Sequence, residues 1–111
     1  MPRPRRVDPR ELTDSWPTVP ASTAVGEAAR LLALNLRTAL GPGTSVRGAS
    51  ARTGVNHAVI ACILAGTTWP DTETVARLET GLGVALWPVL GSDGIYRATA
   101  IRNPRNRRKL D

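Results

Sequence analysis

The chain has 111 residues, a formal net charge of +6 and 41% hydrophobic residues, with no Phe among them. That length suits one small domain with tails, and a core short of aromatic rings must be built from Leu, Val, Ile and Ala, as in a small helical bundle. The single cysteine excludes an intrachain disulfide framework, one His with one Cys falls short of any zinc set, and no apolar run reaches the ~18 residues of a membrane span.

Residues 1–23 hold Pro2, Pro4, Pro9, Pro17 and Pro20, and their four arginines against three acids leave +1. Such a segment predicts a disordered basic arm, with Trp16 free to dock on the domain or on a partner. Its opening contains no signal-peptide apolar stretch, so a cytoplasmic, nucleoid-associated protein is the expectation.

A first helix is predicted from Thr23 to Leu40. Thr23 offers an N-cap, and Ala28, Leu31, Leu32, Asn35, Leu36 and Ala39 form a helical stripe. Gly41-Pro42-Gly43 ends it. The next stretch, Ser45 to Gly66, reads as two short helices around one tight turn: Ser45–Thr53, then Asn56–Leu64. Val46, Ala49, Val55, Ile60 and Ile63 supply the apolar positions. Gly54 is placed where positive φ would strain any other residue, and Asn56 can cap the second helix. This is the layout of a helix-turn-helix, whose second helix usually enters the DNA major groove.

Gly66-Thr67-Thr68-Trp69-Pro70 forms a loop, and Asp71 or Thr72 caps a fourth helix running to about Thr80, with Val75 and Leu78 turned inward. Leu86-Trp87-Pro88-Val89-Leu90 suggests a short fifth helix or turn, with Trp69 and Trp87 packing at the core or its rim. Ile95–Ile101 carries a weak β-strand signal, either for a short strand that could pair with a second copy or for a loosely packed extension. Residues 92–111 hold six cations against Asp93 and Asp111, giving a basic C-terminal extension of +4 that suits phosphate contact or a solvated tail.

Residues from about Ala24 to Leu90 resemble the lambda-repressor-like, Xre-type helix-turn-helix family. The resemblance rests on Ser45-Val46-Arg47, Thr53-Gly54-Val55, Ile60 with Ile63-Leu64, Gly66, Trp69-Pro70-Asp71, Glu73 through Glu79, and Leu82-Gly83-Val84. It implies an all-α, four- or five-helix DNA-binding domain over 24–90, between the arm of 1–23 and the extension of 91–111. It also implies a small bacterial or phage transcriptional regulator that binds double-stranded DNA as a homodimer.

By position in that motif, Ser45 would cap the second helix and offer a donor to phosphate. Arg47 and Arg52 would touch the DNA backbone. Asn56 and His57 would read bases from the first turn of the recognition helix. Thr67 and Thr68 would hold phosphates or shape the turn, and Arg102, Arg105, Arg107, Arg108 and Lys109 would add electrostatic affinity. The recognition helix departs from the family pattern, with Ala58, Val59, Ala61, Cys62 and Ala65 where polar or basic residues are common. Ala58, Ala61 and Cys62 would lie against DNA and touch thymine methyls, or that face would meet another protein. The alternative function is therefore a non-enzymatic protein-interaction module, of antitoxin or phage accessory type, on the same fold.

Catalysis finds no support. A nucleophile-base pair would have to be Cys62 with His57, five positions apart on one helix, and at ~100° per residue they point away from each other. No phosphate-binding glycine loop is present, and no cofactor is implied.

Overall fold

The computed structural model describes residues 6–98. Four helices occur among them: α1 (Ala24–Leu40), α2 (Val46–Thr53), α3 (His57–Ala65) and α4 (Thr72–Leu82). A 3-10 turn over Pro9–Leu12 precedes them, and an antiparallel pair, β1 (Val89–Leu90) and β2 (Tyr96–Arg97), follows. No helix among the described residues is long and apolar enough to cross a membrane.

Each helix starts where a short polar side chain can accept an unpaired backbone N–H. Thr23 Oγ1 accepts from Gly26 at 3.1 Å, Ser45 Oγ from Gly48 at 2.9 Å, Asn56 Oδ1 from Ala58 at 2.7 Å and Asp71 Oδ1 from Thr74 at 2.8 Å. Hydrogen bonds from Thr74 hold the Asp71 carboxyl below its ordinary range.

The core gathers where the apolar stripes meet. Leu32, Leu36 and Leu40 recur every fourth residue along α1, and Val75, Leu78 and Leu82 follow the same helical spacing along α4. Ala49 and Val55, with Ile60 and Ile63 from α3, fill the space between, and Leu86 closes the end. Each Leu, Ile or Val among them taken fully out of water stabilises the fold by about 1.5–3 kcal/mol. Leu86 is held from two directions: Asn35 Nδ2 donates to its carbonyl at 2.8 Å, and Glu79 Oε2 accepts its N–H at 2.8 Å.

Three expectations need correction. Of the short fifth helix or turn expected over 86–90, the helix does not form, which leaves the four-helix count. Pro88 disfavours helical backbone at Trp87 and brings no N–H, so the chain bends at Trp87 and enters β1. The strand signal after Gly94 is satisfied within the chain: Val89 pairs with Arg97 and Leu90 with Tyr96, with the Asp93–Arg97 ion pair at 2.8 Å across the hairpin. Residues 99–101 lie outside the described residues. The domain is therefore mostly helical with a small sheet, rather than all-α.

The third correction is the largest. Of the arm predicted as disordered over 1–23, residues 6–23 form a strap folded onto the helices. Pro9 is buried at the head of the 3-10 turn, where its missing N–H costs nothing, and Glu11 Oε2 accepts the Asp8 N–H at 2.9 Å. Thr13 bridges to Ala21, and Ser22 donates to the Leu12 carbonyl at 2.8 Å. Beneath this loop Arg30 Nη2 meets Glu27 Oε2 at 2.6 Å, with the two side chains only 10% and 20% exposed. The pair also grips the strap: Arg30 Nη1 donates to the Pro17 carbonyl at 3.0 Å, and Glu27 Oε1 accepts the Ala21 N–H at 2.8 Å. Trp16 docks on the domain itself.

Candidate nucleic-acid interface

Two helices around one turn are present where the sequence places them. α2 ends at Gly54, whose φ of 78° is a left-handed conformation that L side chains rarely adopt. Val55 is buried directly after the turn, Asn56 caps α3, and Ile60 and Ile63 anchor its inner face. These anchors leave the opposite side of α3 uncovered: Ala58, Val59, Ala61, Cys62 and Ala65 are all exposed, Val59 by 38%. α3 runs from His57 rather than Asn56, because Asn56 serves as its cap.

Apart from the outer face of α3, the predicted residues among those described fall into four groups. At the start of α2, Ser45 and Arg47 are exposed, the Ser45 hydroxyl oxygen already serving as the cap. At the other end of α2, Arg52 Nη2 donates to the Gly81 carbonyl at 3.4 Å, so this guanidinium turns toward the C-terminus of α4. At the start of α3, Asn56 is exposed and His57 half-buried. Asn56 Oδ1 holds the Ala58 N–H and keeps a second lone pair, and its amide donors still face outward chemistry. Past the end of α3, Thr67 closes the helix: its N–H and its hydroxyl both donate to the Cys62 carbonyl, at 3.0 and 3.3 Å. Thr67 and Thr68 are half-buried and shape the turn. Arg102, Arg105, Arg107, Arg108 and Lys109 lie outside the described residues.

The structure adds two cations beside α3 that the sequence reading passed over. Arg77 Nη1 stands 3.6 Å from where a Cβ on Gly54 would lie, next to the turn, and pairs with Glu73 at 3.0 Å. Its i,i+4 spacing from Glu73 signals that pair alone and not the approach to Gly54. Arg10 flanks the far end: its N–H donates to the Gly66 carbonyl at 2.9 Å, and its Cβ lies 2.9 Å from where a Gly66 Cβ would be. Nothing local in the sequence points from Arg10 to Gly66.

Trp16 completes that end. Its Nε1 donates to the Leu64 carbonyl at 2.9 Å, and its ring fills the space over Gly66. The arrangement is therefore a short helix whose exposed side from Ala58 to Ala65 is apolar but for the Cys62 thiol, with Asn56 and His57 at its first turn, the Arg77 guanidinium beside the turn before it and the Arg10 backbone against its C-cap, Gly66. It holds no cluster of His, Cys, Asp or Glu fit for a metal among the described residues. Comparison with protein-family models, with curated proteins and with solved structures returned no match.

Proposed function

We propose that this chain is a small transcriptional regulator of the lambda-repressor-like helix-turn-helix type, a cytoplasmic, nucleoid-associated protein that binds double-stranded DNA sequence-specifically through α3. The observation that carries this reading is the exposed α3 itself, set off from α2 by the left-handed Gly54 and presenting Asn56 and His57 at its open end. A helix offered by its N-terminal turn can reach base edges, while flanking arginines meet phosphates. Asn is suited to adenine, and the small groups of Ala58, Ala61 and Cys62 allow close approach to thymine methyls.

Such a short reading surface gains specificity when doubled, so the proposed active species is a homodimer on two half-sites about one helical turn apart. The exposed hairpin side chains Val89, Leu90 and Ile95 are the proposed dimer contact. Light scattering of the free and DNA-bound protein checks this, and monomer in both states overturns it.

A second reading is favoured by one specific observation: from Ala58 to Ala65 the outer face of α3 carries no polar side chain apart from the Cys62 thiol. A contiguous apolar face suits a protein partner, as in a non-enzymatic interaction module with weakened DNA reading. An electrophoretic shift on the DNA upstream of its own gene, with random DNA as competitor, separates the two. Under the DNA-reading proposal the complex survives an excess of random DNA that removes non-specific binding. Equal displacement by random and upstream DNA overturns it in favour of the interaction module.

A further inference from the structure

Trp69 and Trp87 frame a recess that the DNA-reading surface does not use. About 290 Å³ in volume, it is lined by Val25 and Leu32 of α1, the two indoles, Pro70 and Arg6. A second recess of about 220 Å³ shares Arg6, Val25 and Trp69 with it and adds Leu12 of the strap. The Trp69 ring is fixed between strap and loop, because its Nε1 donates to the Val7 carbonyl at 2.8 Å. The Arg6 guanidinium lies over that ring, 5.3 Å from its centroid. Val25 is 59% exposed and Trp87 45%, so the mouth is open to a ligand.

The chemistry of this lining is one-sided. Among the described residues, every group lining the first recess is apolar or aromatic except one cation, Arg6. An apolar ligand body would take the place of water against Val25, Leu32 and the indoles, and an anionic head would meet the guanidinium in a charge-assisted hydrogen bond. A guanidinium has several N–H donors and can hold more than one partner at once. We propose that this forked recess binds a small organic carboxylate with an apolar body, of the medium-chain or arylalkyl acid class. The proposal stands apart from the DNA reading, since it uses none of the same side chains.

The test uses the full chain labelled with nitrogen-15 and follows the indole N–H signals of its three tryptophans. The probes are octanoate and the uncharged octanamide. Octanoate is expected to shift the Trp69 and Trp87 signals saturably while leaving Trp16, whose Nε1 is committed to Leu64, unmoved. Octanoate should bind about ten-fold more tightly than octanamide, the difference a charge-assisted contact makes. The variant Arg6→Gln, its fold checked by the unchanged Trp16 indole signal, should bring the two probes level, and a preference for octanoate that survives it overturns the role of Arg6. Absence of a saturable shift, or equal affinity of the native chain for both probes, overturns the proposal. So do Trp69 and Trp87 shifts that follow protein concentration alone, which would place a second copy in the recess.

Discussion

The two ends of α3 are held in different ways. Its N-terminal end is secured by its nearest neighbours: Gly54 turns the chain, Val55 plugs the corner and the Asn56 side chain takes the Ala58 N–H. Its C-terminal end is secured from far upstream: the Leu64 carbonyl accepts from Trp16 Nε1, and the Gly66 carbonyl from the Arg10 N–H, both at 2.9 Å. The last carbonyls of a helix have no partner within it, and here the strap supplies them. The first turn thus stays open to a ligand while the last turn is bolted to residues some fifty positions away. Orientation of α3 depends on the strap as much as on the turn.

The sharpest way to break this comparison is one substitution at each end. Gly66 has φ 74°, and an added Cβ would lie 2.5 Å from Trp16 Cε2 and 2.9 Å from the Arg10 Cβ. Gly66→Ala is therefore strained and also drives the strap off the helix, and we expect a loss of about 3–4 kcal/mol in urea unfolding. At the other end Gly54 has φ 78°, but only the tip of Arg77 comes within 3.6 Å of an added Cβ. Gly54→Val should cost about 1–3 kcal/mol, from backbone strain at a β-branched residue. If Gly66→Ala is no more harmful than Gly54→Val, the strap does not secure α3.

The same contrast explains what could be read in the sequence. The turn, the caps at Thr23, Ser45, Asn56 and Asp71, and the stripes of α1 and α4 are written in residues a few positions apart, and local rules find them. The strap is written in single contacts at long range. Five prolines and no periodicity in residues 1–23 gave no sign that Trp16 would reach Leu64, or that Arg30 would leave the solvent to hold the Pro17 carbonyl. At the candidate interface, the placing of Asn56 and His57 at the start of α3 was legible, whereas Arg10 meets the end of α3 and Arg77 the turn before it only through tertiary packing. Trp87-Pro88 held the signal against a fifth helix, and the apolar run around it left helix and turn both open in the sequence.

The strap's anchor gives a pH-dependent version of the test. The hydrogen bond from Arg30 holds the Glu27 carboxyl below its ordinary range, against the opposing effect of burial. A carboxyl with a lowered folded pKa adds stability that is complete above its unfolded value, about 4.3, and disappears as pH falls through the lower folded value. Glu27→Gln should lose about 1–2 kcal/mol at neutral pH. Its difference from the native chain should shrink as pH drops below about 4. Asp71 and Asp93 titrate in the same direction in both proteins, so the difference isolates Glu27. A gap that stays constant from pH 7 to about pH 3 would remove Glu27 as the anchor.

The smallest expected stability change, at Asn56, sharpens the open end of α3 most. This side chain has two candidate tasks there: its Oδ1 caps the helix, and its amide would read a base. Asn56→Ala removes both, with about 1 kcal/mol of stability lost along with any affinity. Asn56→Ser keeps a capping oxygen, so its melting temperature should stay near that of the native chain, yet a hydroxyl cannot make the paired contact to adenine. Under DNA reading, the serine variant should bind the specific site about 1–3 kcal/mol more weakly and random DNA unchanged. If serine restores both stability and affinity relative to alanine, Asn56 is a cap alone. The exposed face of Ala58, Ala61 and Cys62 then becomes the surface on which a partner must be sought.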